Sequence, residues 1–425
     1  MTNTSATPEP RVPYYRPDLT ENEVEEVVAA LRSGWLTSGP RVRRFEREFS
    51  DAVGASHALA VNSCTAALHL AVDALGLKPG MIALVPAMTF AATAEVVRYQ
   101  GAVPILVDCD PVTFNMSLDD AERKLSRLRE DKPPGGALNG AEAVGIIPVH
   151  VGGLMLDMDD VNRFASEHGL WVVEDAAHAF PAAWRRGPGD PWRRCGEGTA
   201  AVTCFSFYAN KTMTTGEGGM AVTNDAFLAE RMKLMSLHGL SRDAWDRYSG
   251  GGSWDYRIIA PGFKYNMTDI AAAIGIHQLA RAEEMRRKRE QIAATYRDAF
   301  SGVEEIELPA EDGNRIHSWH LFPIRLQLAR LTIDRNKFIE ELTRSGVASS
   351  VHWRPLHLHP YYQESFGWLP EDCPVATETW LRLVSLPLFP GMREEEIERV
   401  IHTVKSLCAR YARGAVLRGS NRLGG

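Results

Sequence analysis

Residues 58–108 read ALAVNSCTAALHLAVDALGLKPGMIALVPAMTFAATAEVVRYQGAVPILVD, and their pattern decides the fold. Three short apolar runs, ALAV (58–61), IALVP (82–86) and VPILVD (103–108), alternate with the helix-like stretches TAALHLAVDALG (65–76) and AATAEVVRYQG (91–101). A half-solvated strand alternates polar and apolar residues, whereas a run that is apolar throughout is covered on both faces. Such strands separated by helices predict an α/β domain with a mixed, mainly parallel sheet.

The alternation continues on both sides. SLDDAERKLSRLRE (117–130) predicts a helix, AVGIIPV (143–149) a strand and the stretch near Asp159–His168 a helix. LWVVED (170–175), AVTCFSF (201–207) and GMAVTN (219–224) predict three more strands. Upstream, Thr20 can cap ENEVEEVVAALRSG (21–34), with Glu23 completing a capping box and Gly34 at the end. In RVRRFEREFSDAVG (41–54), Val42, Phe45, Phe49 and Val53 fall on one helical face. The Gly/Pro-rich stretches 131–140 and 185–198 read as surface insertions, and 242–257 as an active-site or interface loop.

From Thr268 a long helical pattern runs to about Phe300 and leads into a smaller α+β unit. That unit has strands HLFPIRL (320–326) and VASSVHW (347–353), a helix ended by Gly346 and a last helix from near Arg393. The expected organisation is a loose N-terminus (1–12), a large α/β domain (13–267), a linking helix with the small C-terminal domain (268–412), and a disordered tail (413–425).

The chain has 425 residues, 45% apolar and 24% charged, with a net charge of -7. The absence of a global positive field argues against nucleic-acid or anionic-membrane partners. No basic segment precedes an apolar run at the N-terminus, and no stretch is long and apolar enough to span a bilayer. Cys64, Cys109, Cys195, Cys204, Cys373 and Cys408 are scattered without CxxC or Cys/His spacing. Neither a disulfide frame nor a metal site is expected, and reduced thiols in a cytoplasmic protein are.

Four features carry candidate chemistry. Asp175 closes the strand LWVVED, and functional groups gather at the carboxyl ends of strands in open α/β sheets. The same residue type there can simply cap a helix. Lys211 sits in SFYANKTMTTGEGG (206–219), between two sheet strands. Desolvation there would lower its pKa and make it a nucleophile toward a carbonyl, although a lone loop lysine is more often solvated. Asn62-Ser63-Cys64-Thr65 joins a strand to a helix, whose free N–H groups suit a phosphate or merely start an ordinary capped helix. Phe90, after another strand, can stack on a flat ring or pack in a core.

Taken in order, these features resemble one family. GWLTSGPRVRRFE (34–46), PAMTFAAT (86–93), VEDAAHA (173–179), SFYANKTMTTGEGG (206–219), GFKYNMTDIAAAIG (262–275) and HSWHLFPIRL (317–326) are similar to the motifs of the DegT/DnrJ/EryC1/StrS sugar aminotransferases. The likeness runs from about Tyr14 to Tyr411. It implies the fold-type I scaffold with pyridoxal 5'-phosphate (PLP) as cofactor. Lys211 matches the lysine that bonds to the cofactor aldehyde and later moves a proton. Asp175 matches the carboxylate facing the pyridine nitrogen, His178 a residue near the ring oxygen, and Phe90 the stacking aromatic. Thr65, the backbone of Ala66, and Ser206 match the phosphate cup. In the family a second subunit completes that cup, which implies a homodimer. Where many members read GYNYR, this chain has Lys264 and Asn266, so either is a candidate to reach across.

The resemblance further implies L-glutamate as amino donor and a nucleotide-linked keto-sugar as acceptor. The KYN variant and HWRPLHLHPYY (352–362) resemble the subgroup that aminates C4 of UDP-4-keto sugars, such as the enzymes making UDP-4-amino-4-deoxyarabinose. His320, His352 and His357 fall in stretches that line the sugar pocket there, or are structural histidines. Competing acceptors are dTDP- or GDP-linked keto-sugars and keto-cyclitols. Retention of Lys211 speaks against a sugar dehydratase, and retention of the whole site against a non-catalytic regulator.

Overall fold

Every apolar run that predicts a strand forms one except VASSVHW (347–353), which makes only isolated bridges, from Val347 to Val12 and from Ser350 to Ser385. The computed structural model describes residues 12–130, 141–240 and 257–413. The chain begins α1 (Glu21–Ser33), α2 (Pro40–Val53), β1 (His57–Val61), α3 (Cys64–Ala74), β2 (Met81–Pro86), α4 (Ala92–Tyr99), β3 (Val103–Val107), α5 (Leu118–Arg129) and β4 (Glu142–Ile146). It continues with α6 (Met158–Glu167), β5 (Trp171–Asp175), β6 (Ala183–Trp184), β7 (Arg193–Arg194), β8 (Val202–Ser206), β9 (Gly219–Thr223) and α7 (Ala226–Ser236). The long α8 (Asp269–Phe300) leads into β10 (Ile306–Glu307), β11 (Arg315–Ile316), β12 (Phe322–Leu326), α9 (Arg335–Arg344), α10 (Pro360–Phe366), α11 (Pro374–Arg382), β13 (Leu383–Leu386) and α12 (Glu394–Tyr411).

Seven strands form one sheet in the order β1-β9-β8-β5-β4-β2-β3. β8–β5, β5–β4, β4–β2 and β2–β3 pair in parallel, and β9 runs against both of its neighbours. The reason is connection length. Parallel neighbours need a crossover, whereas the short loop 207–218 joins β8 to β9 directly and forces them antiparallel. That loop carries Lys211.

The helical expectations hold in detail. Glu23 reaches back to the Thr20 N–H at 2.8 Å, and Gly34 ends α1 with φ 74°. Glu23 also accepts from Gln278 (2.8 Å) and Arg281 (3.0 Å), tying α1 to α8. Val42, Phe45, Phe49 and Val53 are buried along α2, and Phe49 packs against Phe205 and Phe207 at the end of β8.

Two apolar cores form, and α8 joins them. Ala272, Ile276, Ala282 and Met285 belong to the larger, while Ile292, Ala293, Tyr296 and Phe300 belong to the smaller. The division is not a single cut in sequence. Leu356, Tyr362, Phe366, Trp368, Cys373 and Ala376 return to the larger core, although they follow the linking helix. Val12, expected to be loose, is buried in the smaller core, and its N–H donates to Gly346 O at 3.0 Å.

Residues 185–198 lie mostly at the surface, as expected of an insertion, and are tied to a small sheet. β6, β7 and β11 form a small sheet of their own, with Trp184 buried beneath the guanidinium groups of Arg193 (5.0 Å) and Arg315 (5.8 Å). Cation–aromatic stacking on Trp184 and the buried Cys195 anchor this exposed stretch to the body of the protein. The stretch 131–140 and nearly all of 242–257, like 1–11 and 414–425, lie outside the described residues. Among the described residues no helix is long and apolar enough to cross a membrane. All six cysteines are free.

Candidate active site

β5 delivers Asp175 to the carboxyl edge of the sheet, and no helix follows it, so helix capping is not its role. The residue is 5% exposed. One carboxylate oxygen accepts from Thr93 Oγ1 at 2.8 Å and the other from the Ala177 N–H at 3.1 Å. Burial raises its pKa above the usual carboxylate range, outweighing those bonds and the nearby Lys211 charge. Such a carboxylate is complementary to a cation. Thr93, itself bonded to Thr89 Oγ1 at 2.8 Å, was not singled out in the sequence. It lies 82 residues from Asp175, and only the parallel pairing of the strands between them brings the two together.

Lys211 is half-buried, and its N–H donates to Tyr208 O at 2.9 Å. Burial is the largest influence on its amine; the Cys64 and Asp175 charges oppose it, Arg289 reinforces it, and the pKa settles at about 8. Only the neutral amine attacks a carbonyl, so at pH 7 about a tenth of the chains are reactive, against well under a thousandth for an ordinary lysine. The rate at which cofactor-free protein captures a carbonyl reagent at Lys211 is therefore expected to rise with pH and level off above about 8. Stopped-flow absorbance checks this, with a profile climbing to pH 10 as the contrary result.

β1 turns through Asn62 and Ser63 into α3. Ser63 caps the helix by accepting the Ala66 N–H at 3.1 Å, so the Ala66 amide named above is already engaged. The Cys64 and Thr65 amides share the first turn, where no intrahelical acceptor exists. Thr65 and Ser206 are half-buried beside this turn, and Phe90 is 63% exposed. Gly219, the first residue of β9, is pressed against the same turn. A Cβ there would lie 2.5 Å from Ser63 C and O and 2.6 Å from Cys64 N. Gly219→Ala is expected to push α3 back, costing about 1–3 kcal/mol of stability and weakening anion binding at the turn. Thermal unfolding and phosphate-ester affinity measure the two effects.

Histidines and aromatics form the opposite wall. His178 Nδ1 accepts the Gly152 N–H at 3.2 Å, so the neutral ring carries its proton on Nε2 and can donate from there. His320 lies 4.1 Å from His178 between ring centroids, and Trp353 stacks on His178 at 5.0 Å. His352 stacks on Tyr14 at 5.6 Å, and its Nδ1 is 2.9 Å from Ser385 Oγ. Burial holds His178 and His320 well below the ordinary histidine range and His352 down to about 4. The wall is neutral at physiological pH. Tyr14 and Trp353 were not named as site residues in the sequence, and packing brings them to the wall.

His357 stands apart. It is fully buried, with Nε2 2.8 Å from Thr377 Oγ1, and the charges acting on it are Lys124 and His359, not Lys211. The turn 356–358 is drawn into the larger core, where the Leu356 N–H bonds to Ala87 O at 2.8 Å, so this histidine is removed from the pocket wall. Lys264 and Asn266 bond to each other, and Asn266 Nδ2 donates to Ser38 Oγ at 2.8 Å. Their segment runs beside the end of β1, with the Asn62 N–H donating to Tyr265 O at 2.7 Å.

A buried cluster of His150, Glu174 and Cys195 lies close behind the site. His150 Nδ1 accepts the Leu156 N–H at 3.2 Å, which leaves the ring proton on Nε2, 3.8 Å from Glu174 Oε1. A cation would need that same nitrogen bare, so the cluster reads as a buried His–Glu pair.

Residues 17–405 match the DegT/DnrJ/EryC1/StrS aminotransferase family. The chain belongs to that family. The spore coat polysaccharide biosynthesis protein SpsC of Bacillus subtilis is 40% identical, over 93% of this chain and 97% of its own. Among solved structures, Spr1654 of Streptococcus pneumoniae, described as a candidate sugar aminotransferase and solved in PLP and PMP forms, is 32% identical with a TM-score of 0.81, covering 94% of this chain and 99% of that one. Helicobacter pylori PseC, an aminotransferase of pseudoaminic acid biosynthesis, is 25% identical with a TM-score of 0.83, covering 94% and 100%.

The fold is therefore that of the fold-type I PLP aminotransferases, and this aminotransferase is PLP-dependent. Its residues fit the cofactor. Asp175 is a buried carboxylate complementary to a protonated ring nitrogen, Lys211 is a partly neutral amine, and the first turn of α3 suits a phosphate dianion. When bound, PLP supplies an aldehyde for the amine and a ring that takes up the electron pair freed at the reacting carbon. With the cofactor bound, Asp175 would face the ring nitrogen, Lys211 would carry the proton, and His178 could donate from Nε2 to an oxygen on the ring.

Proposed function

We propose that this sugar aminotransferase moves the amino group of L-glutamate to C4 of a UDP-linked 4-keto sugar, in the cytoplasm, as a homodimer. The observation that carries the sugar assignment is the neutral wall of His178, His320 and His352, each of which feels the Lys211 charge, with Tyr14 and Trp353 stacked on its rings. Neutral rings offer single donors and acceptors, and aromatic faces cover the apolar C–H surface of a pyranose. A charged wall would instead suit an acidic acceptor. Relatives named for polysaccharide and pseudoaminic acid biosynthesis support a sugar acceptor. The KYN variant at Lys264–Asn266 supports the UDP-4-keto class and a phosphate contact from the second subunit.

The test is a panel of UDP-, dTDP- and GDP-linked keto-sugars and keto-cyclitols, offered with L-glutamate to the PLP-loaded protein and read by mass shift. Amination of the UDP-4-keto sugars at least about 100-fold faster than the others supports the assignment. Preference for a cyclitol or another nucleotide overturns it.

A further inference from the structure

We propose that Ser318 is a positioning residue for the cofactor: by holding the main-chain carbonyl of His178, it keeps that ring turned so that Nε2 reaches the ring oxygen. The inference rests on the reading of His178 as the donor to that oxygen and deepens it.

His178 is gripped at two points. Ser318 Oγ donates to its carbonyl at 2.5 Å, across 140 residues of sequence, and Ser318 is fully buried. The Gly152 N–H donates to its Nδ1 at 3.2 Å. The first bond fixes the peptide plane and with it the direction in which the side chain leaves the backbone. The second then fixes the rotation of the ring. A neutral imidazole donates from only one nitrogen, so a ring turned over would set a bare lone pair against the lone pairs of the oxygen. Lys211 and His352 are the titratable groups acting on this ring, His178 in turn acts on His320, and burial keeps it neutral.

The surrounding backbone is shaped to let the serine in. At Gly153, which has φ 98°, a Cβ would lie 1.8 Å from Ser318 Oγ and 2.7 Å from His178 O, so a larger residue would push the hydroxyl off the carbonyl. The Ser318 N–H donates to Gly153 O at 3.2 Å and the His320 N–H to Gly152 O at 3.0 Å, so the same two glycines seat the segment 318–320. Trp319 has φ 50°, an unfavourable backbone for a bulky residue, and is held there by stacking on His317 at 4.1 Å and by burial in the smaller core. Such strain persists where the surroundings over-determine it, and it gathers at functional sites. The segment also presents His320, whose ring is 4.1 Å from that of His178, so one short stretch sets both the wall and the ring-oxygen donor.

The experiment is a pH titration of the visible band of the PLP-loaded protein. A donor to the ring oxygen favours its charged form and so holds down the pH midpoint at which the band shifts. H178A is expected to raise that midpoint by about one pH unit, and S318A, which leaves the histidine in place, by about half as much. The double variant is expected to match H178A alone, because the serine acts through the histidine. S318C, near serine in shape but a weak donor, is expected between wild type and S318A, and it is the variant read if S318A does not hold the cofactor. A midpoint unmoved in the serine variant overturns the proposal. So does a serine shift that adds in full to that of H178A, which marks Ser318 as a packing partner only. A midpoint unmoved in H178A refutes instead the reading of His178 as the ring-oxygen donor.

Discussion

Lys211→Ala is expected to fold, to hold pyridoxal phosphate without a covalent link, and to transaminate at least about 10³–10⁴-fold more slowly than the parent. The lysine lies in a loop whose shape is set by its neighbours. Thr214 Oγ1 donates to Phe207 O at 3.0 Å, the Thr215 N–H donates to Phe207 O at 2.9 Å, and Thr215 Oγ1 donates to Glu217 O at 2.7 Å. None of these bonds uses the lysine side chain, so alanine leaves the loop intact. It removes the only group of the loop able both to bond a carbonyl and to carry a proton between two carbons of bound substrate. Visible absorption, mass after borohydride reduction and single-turnover rates measure these effects together. An unchanged spectrum, or a reduced adduct on another residue, refutes the assignment of Lys211.

Asp175→Asn is expected to lower turnover by roughly 10²–10³-fold while leaving the covalent link at Lys211 in place. The carboxylate sits in a buried position that already raises its pKa, and it stays charged only where a cation compensates. Asparagine keeps the Thr93 and Ala177 bonds by suitable orientation of its amide but removes the charge, so it separates electrostatics from shape. Thr93→Val should move turnover the same way by a smaller factor, because it removes one of the two hydrogen bonds that hold the carboxylate. Turnover equal to the parent in Asp175→Asn would mean that the carboxylate does not tune the ring. The pH assay separates the two residues further. The Asp175 change removes a negative neighbour that raises the Lys211 pKa, so the capture profile of the cofactor-free variant is expected to shift to lower pH.

Several parts of this site were legible because they depend on local order. Asp175 ends an apolar run, Lys211 lies between two strands with GEGG behind it, and Ser63-Cys64-Thr65 opens a helix. Strand direction and helix capping are decided within a few residues, and the motifs record them. The histidines were legible only as a group of possibilities. His320 and His352 join His178, while His357 does not, although 352–357 is one continuous stretch. A step of five residues there changes the side of the wall, because the turn at Leu356 is pulled toward Ala87.

The amino-acid order by itself determined the alternation of strands and helices, the parallel sheet and the residues at its carboxyl edge, since periodicity and capping act over one or two turns. Only the tertiary structure decided that Thr93 holds Asp175, that Tyr14 and Trp353 complete the wall, that 356–376 belongs to the larger core, and that Ser318 holds the His178 carbonyl. Those facts depend on contacts between segments tens to hundreds of residues apart. Such contacts are fixed by how apolar faces exclude water together, and no single stretch of sequence contains that information.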